Sequence, residues 1–389
     1  MNRQPWLRAV SFILCAAGAT LGGCGSKQAL VALGQDAGPT PGTTDAAATP
    51  GMVDAGTAPG LDGQSGVGSA SDGAVVANDP RGQAATATAN GNASCVSIQP
   101  FYWEIGNRDG KLVGGTASQA GASAPAANTQ MLIASSSKWI FGAYVVERRT
   151  GQPTADDLAA LTMRSGYTGL KYASCVKLVR ANQDAETVHD CFAASNLTGA
   201  NNDFDAAAVG KFHYNGGHFQ WLADGGLGLG AANNAALQSA VAALVGTDFV
   251  FSYDSPQLAA GIQSSGQDYA VFLQKILAGK LRIRDLLGSN AVCTNPATCP
   301  DAEYAPIPSS ESWHYSLAHW VEDDPAVGDG AFSSPGAFGF YPWIDAGKTT
   351  YGVLARHVSV TLSGSDPVAV DSVVCGRLIR KAWFTASPQ

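Results

Sequence analysis

The stretch Ala134-Ser135-Ser136-Ser137-Lys138-Trp139-Ile140-Phe141-Gly142-Ala143-Tyr144-Val145-Val146 decides how the rest of the chain is read. Written as a helix, it places Ser135 and Lys138 three residues apart on one face. The hydroxyl then lies beside an amine able to take its proton, and the helix start adds backbone N–H groups and the positive end of a dipole. A serine so placed is a candidate nucleophile. The spacing alone is weak, because Ser174-Cys175-Val176-Lys177 repeats it. What separates Ser135 is the apolar run after Lys138, uncharged until Glu147, as in a helix buried at a domain centre. The simpler alternative is a core helix with small polar residues at its N-terminus.

The chain has 389 residues and a formal net charge of −8, so no basic footprint points to nucleic acid. After the first two dozen residues no apolar run approaches the roughly 20 needed to span a bilayer. Arg3 and Arg8 form a short basic segment ahead of the apolar Ala9 to Leu21. Leu21-Gly22-Gly23-Cys24 then resembles a bacterial lipobox, so residues 1–23 read as a lipoprotein signal peptide and Cys24 as the lipidated residue. An ordinary secretory signal is the alternative. Gly25 and Ser26 follow, without Asp after the cysteine, which resembles an outer-membrane-directed lipoprotein. The expected location is the bacterial cell envelope, lipid-anchored at the outer membrane, facing the periplasm or exported to the surface. Residues 24–93 are rich in Ala, Gly, Thr, Asp and Pro and nearly free of aromatics, a composition too poor in burial to offset its ordering entropy. They read as a disordered tether, and residues 94–389 as the folded domain.

Of the eight cysteines, Cys15 leaves with the signal and Cys24 carries lipid, leaving Cys95, Cys175, Cys191, Cys293, Cys299 and Cys375. An even number in an exported chain reads as disulfides, with fifteen possible pairings. Locality favours Cys293–Cys299 and Cys175–Cys191, which leaves Cys95–Cys375. The rival reading, a metal site, lacks any Cys-x-x-Cys pair.

Within the domain, Val96 to Ile105, the turn Asn107-Arg108-Asp109-Gly110 and Lys111-Leu112-Val113 read as a hairpin. Helices are expected from Ser135, over Ala155 to Met163, Ala231 to Val245 and Asp268 to Leu277, then strands over His314 to Val321, Gly339 to Ile344 and Tyr351 to Leu362. Asp371 to Phe384 reads as a closing helix. This order is α+β, not repeating βαβ units.

Phe212-His213-Tyr214-Asn215-Gly216-Gly217-His218 is the second candidate constellation. A Tyr near a Lys can share its proton and serve as general base, and the glycines let backbone approach a ligand. His213 and His218 are five apart without an acidic partner, so no metal site and no cofactor are expected. The third constellation is Phe332-Ser333-Ser334-Pro335-Gly336-Ala337-Phe338-Gly339, which can expose backbone groups beside a site. Lys348-Thr349-Thr350 reads as a hairpin turn, His314 and His319 as structural residues on opposite faces of one strand, and Glu322-Asp323-Asp324 as a solvated turn. No Gly-x-Ser-x-Gly elbow, Walker loop or Rossmann glycine pattern is present.

Taken together, these residues resemble the serine β-lactamase and penicillin-binding-protein superfamily, in particular its class C-like serine hydrolase branch. Ile133 to Trp139 resembles the Ser-x-x-Lys motif, and Leu161-Thr162-Met163-Arg164-Ser165-Gly166 the step that follows it. Phe212 to Gly217 is similar to Phe-x-Tyr-Ser-Asn-x-Gly, and Pro256 to Ile262 with Asp268 to Leu273 to a later glycine turn and helix. Trp313 to Trp320 resembles a Tyr-Gly-Leu-Gly strand, and Ser334-Pro335-Gly336 stands in place of Lys-Thr-Gly. The resemblance runs from Trp103 to Phe384. It implies a β-lactamase/transpeptidase-like fold: an antiparallel sheet flanked by N- and C-terminal helices, with a mainly helical subdomain and the active site at their interface. It also implies Ser135 as acylated nucleophile, Lys138 as its proton partner and Tyr214 as general base. Asn215, Gly216, Ser334, Gly336 and Ala337 are the implied substrate and oxyanion-hole residues. Two departures matter. Gly216 aligns with the motif's Asn, with Asn215 next door, and Ser334-Pro335 replaces the usual cation or imidazole. Losing a cation that would hold a substrate carboxylate favours a neutral ester or amide in the cell envelope over a penicillin or a peptidoglycan stem peptide. The competing expectations are a D,D-peptidase or β-lactamase, in which Arg356 or Lys348 supplies the cation, and an inactive member that binds an envelope polymer.

Overall fold

β1 (Phe101–Asn107) and β2 (Gly110–Ala117) form a hairpin whose far partner is the last strand of the chain. The computed structural model describes residues 79–171, 175, 186–196, 199–359 and 367–389, all within the unit Gly68–Gln389. The other strands of the same sheet are β3 (Val292–Cys293), β4 (His314–Tyr315), β5 (Trp320–Glu322), β6 (Ala331–Ser333), β7 (Tyr341–Ile344) and β8 (Thr350–Ala355). In space they run β2-β1-β8-β7-β6-β5-β4-β3, each antiparallel to its neighbour. The longer helices are α1 (Pro80–Gly91), α2 (Ser137–Arg148), α3 (Ala155–Leu161), α4 (Asn234–Val245), α5 (Gly266–Leu277) and α6 (Pro367–Thr385).

The first six residues of β1 are all buried, which requires cover on both faces of the sheet. Register shows how the cover is divided. Trp103 and Tyr341 both sit opposite Leu354 and share one face, while Tyr102 and its partner Ala355 share the other. A Cβ at Gly376 of α6 would overlap the Tyr341 ring, and one at Gly266 of α5 would overlap Tyr102 and approach Ala355. These two helices therefore pack on opposite faces, and each glycine is required by the closeness of its approach. The order is α+β, with an antiparallel sheet between helical layers.

The tether expected over residues 24–93 ends earlier than its composition suggests. Asp79 caps α1 by accepting the Arg81 N–H at 2.9 Å, and Pro80 opens the helix. Buried Ala84, Ala85 and Ala89 give α1 a face of small side chains against α6, where Arg81 lies 4.5 Å from the Trp383 ring centroid. Such a helix is nearly invisible to periodicity, because alanines carry little amphipathic contrast. The signal peptide, Cys24 and the rest of the tether lie outside the described residues. The disulfides are Cys95–Cys375, Cys175–Cys191 and Cys293–Cys299. The first of them fastens the segment after α1 to α6.

Two local expectations are corrected. His314 to Val321 is a hairpin, with His319 in its turn, not one strand. Glu322 is not in a solvated turn. It is fully buried, with Arg380 Nη2 donating at 3.0 Å, Arg377 Nε at 2.9 Å and the Tyr341 hydroxyl at 2.7 Å. A run of three acids looks solvated until distant arginines on α6 reach one of them.

Acid should unfold this protein in two stages. Burial pushes the Glu322 carboxyl up, but Arg380 and Arg377 outweigh it and hold its pKa down at about 2. Its stabilisation is therefore complete above the ordinary value of 4.5 and is lost as pH falls from there toward 2. Burial also lowers His218 and His319 from 6.5 to about 4, so their contribution is complete above 6.5 and fades below it. The expected melting temperature is flat near neutrality, declines below pH about 6.5 as the unfolded chain protonates both histidines, and goes on falling below about 4 with the shallower slope of Glu322. Glu322→Gln, which leaves two arginines without their buried charge partner, should cost about 3–5 kcal/mol by urea denaturation and flatten the decline below pH about 4.

Candidate active site

Ser135 lies in a tight helical turn, Ala134–Ser136, immediately ahead of α2 rather than inside it. Ala134 has φ +46°, a left-handed conformation that strains the residue before Ser135. Neighbours hold the turn in that state. The Ile133 N–H donates to the Ile262 carbonyl at 3.0 Å, and Ser137 Oγ accepts the Ile262 N–H at 3.2 Å. The Tyr269 hydroxyl donates to the Ser136 carbonyl at 2.8 Å. From the sheet side, Ser136 Oγ donates to the Ser334 carbonyl at 2.6 Å and Ser334 Oγ donates to the Ser135 carbonyl at 3.0 Å. Ser136 and Ser137 are thus structural, and Ser135 is left with its hydroxyl in a cavity.

Lys138 is buried, and its Nζ lies 2.9 Å from Ser135 Oγ and 3.0 Å from the Ala259 carbonyl. It forms no ion pair among the described residues. Burial lowers its pKa from 10.5 to about 7. Near neutrality a large share of Lys138 is therefore the free amine, which can accept the Ser135 proton across the same contact. The Tyr214 ring centroid is 4.8 Å from Lys138 Nζ. Tyr214 follows the short strand Phe212–His213, which pairs in parallel with Ala302–Tyr304, and its N–H donates to the Tyr304 carbonyl at 3.0 Å. Its ring stacks on Trp320 at 5.2 Å and meets the edge of Tyr315 at 5.8 Å. The three residues nominated for catalysis line one cavity of about 340 Å³.

The remaining nominated residues divide by role. Asn215 and Gly216 line the cavity, but the Asn215 side chain is committed to backbone. Its Oδ1 accepts the Leu170 N–H at 3.2 Å and the Gly217 N–H at 2.8 Å, and its Nδ2 donates to the Leu170 carbonyl at 3.2 Å. Asn215 holds a wall in place rather than presenting an amide to substrate. Gly336 is required by approach: a Cβ there would collide with the Ile133 carbonyl. Its N–H is used by the Phe340 carbonyl at 2.7 Å, as the Ser334 N–H is by Pro342 at 3.3 Å. Among the described residues, the Ser135 and Ala337 N–H groups have no backbone acceptor, and both residues line the cavity. They are the donors available for an oxyanion.

Neither proposed carboxylate-binding cation lies there. Arg356 is buried, with donors to Ser372 Oγ and to the Ile98 and Val368 carbonyls. Lys348 Nζ donates to the Arg284 carbonyl at 2.9 Å, and neither residue lines the cavity. Lys138 is the sole Lys, Arg, Asp, Glu or His lining it among the described residues. The other walls are largely apolar. Ile307 and Trp313 come from the segment after the Cys293–Cys299 loop, Phe338 from the third constellation, and Val370 and Val373 from α6. Sequence reasoning did not nominate these walls, since they carry no chemistry. Gln257, also on the cavity, sits inside a turn that was noted only for its glycine.

No family model matches the chain, and no curated protein matches its sequence. Solved structures do share its architecture. Unliganded simvastatin synthase from Aspergillus terreus superposes with a TM-score of 0.51 at 14% identity, covering 79% of this chain and 99% of that one. The chain has the fold of the serine β-lactamase and penicillin-binding-protein superfamily. A β-lactamase from Mycobacterium bovis aligns at 14% identity over 71% of this chain and 94% of that one, TM-score 0.46. EstCE1, a hydrolase with promiscuous acyltransferase activity, aligns at 13% identity over 77% and 100%, TM-score 0.48.

Because the Ser135 turn and the Gly336 segment touch backbone to backbone, Gly336→Ala should displace the nucleophile without emptying the core. The expected outcome is labelling of Ser135 by a fluorophosphonate slowed at least tenfold, with the folded protein retained by circular dichroism. Labelling at the unaltered rate would show that the approach is not limiting.

Proposed function

We propose that the protein is a serine hydrolase that acts through an acyl-enzyme on a neutral ester or amide, without metal or cofactor. The observation that carries this is the contact of Ser135 Oγ at 2.9 Å with a desolvated Lys138 that has, among the described residues, no charge partner and no second cation beside it in the cavity. In this reading Ser135 Oγ adds to the substrate carbonyl carbon, and its proton passes to the Lys138–Tyr214 pair. The Ser135 and Ala337 N–H groups hold the developing oxyanion. The leaving alcohol or amine departs with that proton, leaving an ester on Ser135. Water, deprotonated by the same pair, then adds to the acyl carbon, and the acid departs as Ser135 regains its proton.

The missing cation argues against the D,D-peptidase and β-lactamase readings. A substrate carboxylate would enter an apolar cavity without the charged hydrogen bond worth about 1.5–3 kcal/mol that holds it elsewhere. A location in the bacterial envelope, through a lipid anchor at Cys24, belongs to the same proposal and rests on the sequence of residues 1–24. It predicts an N-terminal lipopeptide beginning at Cys24 in the mass spectrum of membrane-extracted protein. An unmodified or differently cut N-terminus would remove the anchor.

The full-length chain, incubated with a fluorophosphonate and separately with a fluorescent penicillin, should form an adduct with the first only, absent in Ser135→Ala. Lys138→Met and Tyr214→Phe should each slow ester turnover by about 10²–10⁴-fold. In the wild type, kcat/KM should rise with pH through about 7, because only the neutral amine accepts a proton. A penicillin adduct would restore the peptidase or lactamase reading. No adduct with either probe on folded protein would leave a binding module.

A further inference from the structure

The cavity around Ser135 has two banks, and α6 belongs to the one on which Tyr214 stands. The Tyr214 ring stacks on Trp320 at 5.2 Å, and Trp320 meets Trp313 edge-on at 5.6 Å. The Arg377 guanidinium of α6 then lies 4.7 Å from the Trp313 ring centroid. Val373 and Val370 precede Arg377 by one and two turns of the same helix, and their three-residue spacing puts them on one face. Both valines line the cavity, as do the two tryptophans and Ile307, three residues after Tyr304. The side-chain atoms that Val370, Val373, Ile307 and Trp313 can present are carbon. The three aliphatic residues have no others, and the Trp313 indole N–H is taken by Glu311 Oε2 at 2.7 Å. Arg377 is turned away, with Nη1 donating to Glu311 at 2.8 Å and Nε to Glu322 at 2.9 Å. Val370 and Ile307 are half-buried, so each keeps side-chain surface to offer. The other bank runs through Gly216, where a Cβ would lie 2.9 Å from that of Ala259 and 3.3 Å from Leu170 Cδ2.

We propose that the bank formed by Trp313, Trp320, Ile307 and Val370 receives the leaving group, so that preferred substrates carry an apolar aryl or alicyclic group on the departing oxygen or nitrogen. This rests on the hydrolase reading and narrows one half of its neutral ester or amide. The proton decides which half. Collapse of the tetrahedral adduct breaks the bond from carbon to the leaving atom, and that atom takes up the proton that Ser135 gave to the Lys138–Tyr214 pair. The leaving atom must therefore come within hydrogen-bond reach of the pair, and the group it carries extends along the bank that continues from Tyr214. Flat rings and branched aliphatic ends on that bank match a flat or cyclic apolar group. A carboxylate on the same group would lose its water against carbon. A small alcohol such as ethanol would leave most of the bank against water.

The test uses the full-length chain and three acetates that differ in the leaving alcohol: ethyl acetate, benzyl acetate and 4-(acetoxymethyl)benzoate. The wild type should favour benzyl acetate over each of the other two by about tenfold or more in kcat/KM. Val370→Lys and, on a separate segment, Ile307→Lys should each supply a cation and lower the ratio of benzyl acetate to 4-(acetoxymethyl)benzoate about tenfold. A second pair, benzyl pentanoate and benzyl hydrogen succinate, carries the carboxylate on the acyl group, and its ratio should stay at the wild-type value. A wild type that prefers the ethyl or the charged acetate overturns the proposal. So does a lysine that acts on the acyl pair instead, which would put the bank on the acyl side, and so do lysines that move neither ratio in variants of unaltered melting temperature. The wild-type preference needs no variant and decides the matter if both lysines unfold the protein. Fluorophosphonate labelling of the same preparations separates the two readings. No labelling and no turnover of any ester removes the hydrolase reading and this proposal with it, whereas labelling and turnover without these preferences remove this proposal alone.

Discussion

The close approach of Gly336 to Ile133, with the reciprocal bonds between Ser136, Ser334 and Ser135, is the joint on which the active site depends. One side of the joint belongs to the turn that starts α2, and the other to the segment leaving β6. Chain separations near 200 residues meet there through two short side-chain hydrogen bonds and a missing Cβ. Each bond is modest in isolation, about 1 kcal/mol net, but the geometry they fix brings a serine hydroxyl and two free N–H groups to the same cavity. Site and sheet are thus assembled by the same contacts, and neither can shift alone.

Around that joint the protein keeps several polar groups in conditions that do not favour them in isolation. Among the described residues, Lys138 is kept from water without a counter-charge and Gln257 has an amide hydrogen donor unused, while Ala134 holds a left-handed backbone. Groups of this kind weaken the fold and persist where the surroundings over-determine them. The compensating order lies elsewhere. The Glu322, Arg377 and Arg380 network ties β5 to α6, and the sheet is covered on both faces. That arrangement places rigidity in the frame and strain at the chemistry.

The sequence marks the candidate site more readily than the frame. Ser135, Lys138 and Tyr214 stand out in the sequence because each is a reactive residue type in a recognisable run, and the structure brings the three to one cavity. Ala337 was legible as a position, though only the hydrogen bonds separate its free N–H from the occupied one of Gly336. What escaped was of two kinds. Helix α1 is mostly small residues and is defined by docking on α6, so its own pattern carries no signal. Glu322 and the committed amide of Asn215 have roles set by partners far along the chain, and a local window cannot tell a satisfied amide from an open one. The hairpin reads as one strand over His314 to Val321 because its turn, Ser316 to His319, holds no Gly, Pro, Asn or Asp and is wholly buried.

The bond between Cys95 and Cys375 closes a loop around almost the whole folded unit, with a sequence separation of 280 residues. In topological terms the domain is a ring rather than a string. Ser135, Lys138, Tyr214, the sheet and both smaller disulfides all lie on its circumference. A single backbone cut anywhere between the two cysteines opens the ring without releasing a fragment, so the joint between Ser135 and Ser334 stays within one covalent molecule. Such a chain tolerates a cut at which a linear one would come apart.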